Sequence, residues 1–300
     1  MSIGCVFCNV TKLTIDLENG LPELFAKECP SDLFPLVKST QSLSITYYTS
    51  VSIQSSSILS SLDSIPWNSY DYLRTITIGC GCCSYMTSFV IENRPMLNTI
   101  QIQEKSFNNK CSSGGVFKLS HLPLLKSLSI GSSSFTHFNQ FSISDLPSLV
   151  TLRIGSDCFS AQKLSSARCS LVSLPLLTEC VFEQSCFFSF DHPVLQQLPR
   201  LQRLVFGPLT FHSSVTPTLS LDPLPSLQRI QFDSSSFAST PNLSLQKQPS
   251  LEEVVMGRES FCQYGDMGCC RISSCSHLRR ITIHSSSFAK GHELSLSSIS

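Results

Sequence analysis

Two groups of cysteines have the C-x-x-C spacing that metal and redox sites use: Cys5-Val6-Phe7-Cys8, and Cys80-Gly81-Cys82-Cys83. Two thiolates at that spacing can share a zinc ion or cycle between dithiol and disulfide. The seven histidines show no ligand spacing beside them. His284 falls at the end of an apolar phrase, and His192 and His212 lie in variable stretches. Catalysis by one of the 57 serines would need a positioned base and an oxyanion site. No G-x-S-x-G elbow, phosphate loop or dinucleotide fingerprint is present. The expectation is a chain that is not an enzyme and carries no metal or cofactor, with a zinc or redox role for Cys5 and Cys8 as the alternative.

A second constellation is ionic. Arg153, Glu179, Glu183, Arg203, Arg229, Asp233, Glu253 and Arg280 recur at matching places in successive phrases. The corresponding places earlier in the chain hold Thr75, Thr77, Thr99, Gln101, Ser127 and Ser129. One column reads Glu179, Arg203, Arg229, Glu253, Arg280, with neighbours about 5 Å apart if the phrases are strands lying side by side. Such a column is either a solvated ion ladder or a mixed-charge face for a protein partner.

The elements that must hold this column come from one phrase repeated nine times. It reads leucine, two variable residues, aliphatic, variable, aliphatic, three variable residues, a small hydroxyl or thiol residue, phenylalanine. Copies start at Leu73, Leu97, Leu125, Leu149, Leu177, Leu201, Leu227, Leu251 and Leu278, and include LKSLSIGSSSF and LQRIQFDSSSF. A unit of this length cannot bury its apolar side alone, whereas a stack of units can, so the period predicts a solenoid. Alternation in L-x-I predicts a short half-buried strand in every unit, and stacked units give a parallel front sheet.

Glycine follows the strand at Gly79, Gly131, Gly155, Gly207 and Gly257, where the chain must leave the sheet. The small slot holds Cys82, Ser106, Ser134, Cys158, Cys186, Thr210, Ser236, Ser260 and Ser287. Serine and cysteine are near-isosteric, so Cys82 and Cys83 read as repeat positions rather than ligands. Cys180, Cys270 and Cys275 likewise stand where other copies have aliphatics. The next slot forms a phenylalanine spine from Phe107 to Phe288. A second apolar phrase ending in leucine-proline, as in FSISDLPSL and LSLDPLPSL, predicts short back strands turned into the front by Pro95, Pro123, Pro147, Pro175, Pro199, Pro225 and Pro249. Little helix is expected.

Residues 1–72 follow the phrase loosely and read as irregular N-terminal repeats or a cap, with Val10–Ile15 and Thr40–Ile45 as irregular front strands. Residues 73–300 read as the regular solenoid, its last repeat truncated. No cap follows Phe288, which predicts that the chain is a fragment of a longer one or associates end to end through that repeat.

A formal charge of zero and 14% charged residues leave no electrostatic footprint for nucleic acid. No apolar run is long enough for a membrane span, and the N-terminus has no basic start before an apolar run. Fifteen cysteines, an odd number, then read as reduced thiols in a cytoplasmic protein, with the cell surface as the alternative.

The phrase resembles leucine-rich repeats of the BspA-like subtype, whose units run L-x-x-I-x-I-G-x-x-A-F. The match covers Leu73 to Phe288, and LVTLRIGSDCF from Leu149 keeps both glycine and phenylalanine. The chain departs in using Ser or Cys for that alanine and in its longer, leucine-proline units. The resemblance implies a curved leucine-rich-repeat solenoid used for protein recognition in surface or intracellular proteins of microbes and protists. The functional expectation is a non-catalytic binding module or scaffold for a protein partner, using the concave face. The alternative is a secreted or cell-surface adhesin.

Overall fold

The computed structural model describes residues 24–26, 50–53, 67, 73–84, 86–108, 114–160, 167–191, 193–214, 218–262, 269–287 and 293–297. It is a parallel β-solenoid of about eight turns in which the described residues contain almost no helix. Strands on the front face are β1 (Leu24–Ala26), β2 (Ser50–Ile53), β3 (Thr75–Ile78), β5 (Thr99–Ile102), β7 (Ser127–Ile130), β9 (Thr151–Ile154), β11 (Glu179–Phe182), β13 (Arg203–Phe206), β15 (Arg229–Phe232), β17 (Glu253–Met256) and β19 (Arg280–Ile283). They form one eleven-stranded sheet in that order.

Between them run the back strands β4 (Ser88–Glu92), β6 (Val116–Ser120), β8 (Gln140–Ser144), β10 (Arg168–Val172), β12 (Val194–Gln196), β14 (Thr218–Leu221), β16 (Asn242–Gln246), β18 (Cys269–Ser273) and β20 (Glu293–Ser297). These divide into a five-stranded sheet, β4 to β12, and a four-stranded sheet, β14 to β20. The front sheet extends through β1 and β2 into the first 72 residues, at places the phrase did not mark. The segments Val10–Ile15 and Thr40–Ile45, Cys5, Cys8 and Phe288 lie outside the described residues.

The period-two pattern does what it predicts. Ile76, Ile78, Ile100, Ile102, Leu152 and Ile154 are wholly or almost wholly buried, while the residues between them face solvent or lie half-buried. The spine runs through the middle. Phe107, Phe135, Phe159, Phe187, Phe211, Phe237 and Phe261 stack successively, with ring centroids 4.6–5.6 Å apart and planes within 9° of parallel. At the last turn the same inward slots are open: Ile283, Leu294 and Leu296 are 44–50% exposed.

Each turn is bent by residues in left-handed backbone conformation. The spine phenylalanines have φ of +49° to +56°, and the residues two places earlier are left-handed too, as at Lys105 (+59°), Ser133 (+57°) and Asp157 (+58°). A bulky side chain rarely adopts that region. Here each bend aims a backbone N–H along the stack. Phe135 donates to the previous turn (Ser106 O, 3.0 Å) and Ser133 to the next (Ser156 O, 2.7 Å). A third left-handed position precedes the corner residue (leucine in most turns), at Asn93, His121, Asp145, Ser173, Lys247 and Ser274, and its N–H bonds the next turn.

The recurring post-strand glycines serve close approach rather than unusual φ. A Cβ on Gly131, Gly155, Gly207 or Gly257 would come within 2.6–2.7 Å of backbone in the preceding turn. The small slot works as its chemistry suggests. Ser106 Oγ donates to Gly79 O (2.7 Å), and the Cys186 thiol to Gly155 O (2.9 Å).

Candidate functional site

The front register brings the ionic column together. Glu179, Arg203, Arg229, Glu253 and Arg280 are direct neighbours on β11, β13, β15, β17 and β19. Arg203 pairs with Glu179, Arg229 with Glu253 (3.1 Å), and Arg280 with the same Glu253 (3.6 Å). Arg153 on β9 reaches Glu183 just past β11 (3.1 Å), and Ser156 Oγ also donates to Glu183. Asp233 joins the chain Arg229–Gln231–Asp233, in which Arg229 donates to Gln231 (3.2 Å) and Gln231 donates to Asp233 (2.7 Å).

All eight residues singled out from sequence therefore lie on one front face, in three paired groups: Arg153 with Glu183, Arg203 with Glu179, and Arg229 with Glu253, Arg280 and, through Gln231, Asp233. Four arginines face three glutamates and one aspartate, so the formal charge of these eight residues sums to zero. Being solvent-screened, each pair contributes about 0–1 kcal/mol to stability.

Two outward positions on this face had no signal in the sequence reading. Val181 and Val205 point to the front yet are only 7% and 6% exposed. They are register partners lying between the Glu179–Arg203 pair on one side and the Arg153–Glu183 pair on the other. The aliphatic stems of such arginines cover apolar surface while their heads stay wet. A valine at a period-two outward position was the available clue.

A second surface follows the corner edge. Pro95, Pro123, Pro147 and Pro175 line a shallow open groove, which continues along Pro199, Pro223 and Pro225. Asn93, His121, Asp145 and Ser173 form its polar wall.

The thiols occupy structural positions. Cys82, Cys83, Cys158, Cys169, Cys180, Cys186, Cys270 and Cys275 are buried free thiols. Burial pushes the Cys158 and Cys270 thiols up to about 12, and those of Cys83, Cys169, Cys180 and Cys186 well above their ordinary value. Such thiols stay protonated at neutral pH, the opposite of what a nucleophile or ligand requires. Among the described residues no three His, Cys, Asp or Glu side chains cluster as metal ligands, and no helix is long and apolar enough to cross a membrane.

No protein-family model, curated protein or solved structure matches the chain.

Proposed function

We propose that the chain is a non-catalytic protein-binding module of leucine-rich-repeat type, related to the BspA-like subtype, and that it recognises its partner with the front face. The observation that carries this reading is the registered column of charged side chains on one continuous sheet, with Val181 and Val205 embedded in it. An array of fixed charges around an apolar patch selects a partner by shape and charge complementarity rather than by net attraction. Buried, protonated thiols fit a reducing compartment, so the reading places the protein in the cytoplasm.

Reversing Arg203→Glu and Arg229→Glu together tests the binding face, because neither side chain enters the core. Wild type and variant are compared in capture from host extract at matched salt, with thermal unfolding measured alongside. The expected result is loss of a specific partner with a modest loss of stability. Identical capture by the two proteins would place binding elsewhere.

The exposed Ile283, Leu294 and Leu296 support a further element, end-to-end self-association. Sedimentation velocity should show concentration-dependent mass that Leu294→Lys/Leu296→Lys removes. A monomer at all concentrations would refute this element alone.

A further inference from the structure

The front sheet is continuous but the back sheet is not: it stops at β12 and restarts at β14. One proline falls at the interruption and a second stands one turn on. In the back strands Gln140 and Arg168 donate their N–H groups backwards, to Gly115 O and Asn139 O. Alternation along a strand then aims the N–H of the next residue forwards, at Phe141 and Cys169. Register puts Pro193 in that slot in the following turn, and proline has no N–H to direct at β14. One turn on, Pro223 stands immediately before the corner leucine, where other turns use a left-handed residue whose N–H bonds the next turn. Proline can supply neither the positive φ nor the donor.

A local substitute spans the second defect. Gln248 is wholly buried in the slot that holds leucine at most other corners. Its Oε1 accepts from the Leu224 N–H (2.8 Å), and its Nε2 donates to Asp222 O and Gln246 O (3.2 Å each). This side chain ties β14 to the turn after it, which leaves the step between β12 and β14 as the weak one.

The ion pairs of the front face are interrupted at the same level. Arg203 and Arg229 are registered neighbours of like charge, and each turns away from the other to its own glutamate. Among the described residues the ion pairs of the front face therefore fall on one side or the other of the β13–β15 step, and none crosses it. The small-slot bonds change around this level, over three successive steps. Ser106, Ser134, Cys158 and Cys186 bond carbonyls of the preceding turn, Thr210, Ser236 and Ser260 bond carbonyls of their own turn, and Ser287 again reaches the preceding turn. The step keeps its front ladder, the Phe206–Phe232 and Phe211–Phe237 stacks, the bend bonds from Leu209 N–H to Ser234 O, Phe237 N–H to Thr210 O and Ser239 N–H to His212 O, and the Ser226 hydroxyl bond to Pro199 O; what it lacks is the back ladder and a front ion pair.

From this coincidence we infer that the solenoid is two blocks joined at the β13–β15 step, which bends about the front sheet and so changes the angle between the two halves of the charged face. The joint is a property of the stack and holds whether or not the front face binds a protein. Local opening concentrates where cross-turn bonds are fewest.

Pulsed spin-label distances on the full chain test it, with labels on p-acetylphenylalanine so that native thiols are untouched. Positions 126 and 202 lie three front strands apart within the first block, and positions 202 and 279 lie three apart across the step. The expected result is a wider distance distribution for the second pair, narrowed by combining Pro193→Leu, Pro223→Asn and Gln248→Leu to restore the backbone bonds. Equal widths in the wild type would overturn the joint, and an unchanged wide distribution in the combined variant would overturn its assignment to these residues. Hydrogen exchange on the wild type needs no variant: β12 and β14 amides should exchange faster than those of β8 and β16, and equal rates would also overturn the proposal.

Discussion

A spine phenylalanine does two things at once: it fills the centre of a turn and bends the backbone into the next. Phe135 stacks on Phe107 and Phe159 and meets Phe138 edge-on at 4.9 Å. Truncating it to alanine leaves the left-handed backbone without the packing that offsets its strain. Phe135→Ala should cost about 3–5 kcal/mol in denaturant unfolding, and an unchanged midpoint would contradict the spine. The thiols yield a pH dependence of definite sign. Burial raises their folded pKa above the ordinary 9.0, to about 12 for Cys158. Between those values the unfolded chain releases protons that the folded chain retains, so stability holds below about pH 8 and falls as pH rises through 9. The slope is about 1.4 kcal/mol per pH unit for each such thiol. Thermal melts at pH 7 and pH 10 should show this fall, and Cys158→Ser, with the residue other turns use in that slot, should lessen it. A melting temperature constant to pH 10 would mean these thiols are not buried as described.

Strands and corners show which parts of the fold were legible in the sequence. The inward positions of β3 to β17, the small slot and the proline corners are periodic, and each periodic side chain has one role, so counting found them. Left-handed phenylalanines were not legible, because side-chain type carries no sign for φ and steric preference points the other way. The glycines were found but for an incomplete reason: they admit the preceding turn's backbone. Gly155→Ala would set a Cβ 2.7 Å from Ile130 O, and this overpacking should cost about 1–3 kcal/mol by chemical denaturation. The role of Gln248 was not legible, since a polar residue in a core slot makes sense only beside the donor that Pro223 lacks. Alone, Gln248→Leu leaves the Leu224 N–H and two carbonyls unpaired, for an expected loss of about 1–3 kcal/mol. A gain in stability would show that those groups find other partners.

At the scale of the molecule, parallel register turns a local repeat into a surface. Residues some 24–28 apart in sequence become neighbours, and variable positions that look unrelated along the chain line up as columns. The ionic column was legible because its members share one offset within the phrase. The pairing of each arginine with a particular glutamate was not, since rotamers decide it. The central claim is that this face receives a protein. Carboxyl footprinting by mass spectrometry, with and without the captured partner, addresses it most directly. Amidation reports Glu179, Glu183, Asp233 and Glu253 on the front, and Glu92 and Asp145 on the back strand and corner edge. The account predicts that the partner slows modification of the front four and leaves Glu92 and Asp145 unchanged. Protection of Asp145 and Glu92, with the front carboxylates labelled as in the free chain, would contradict it.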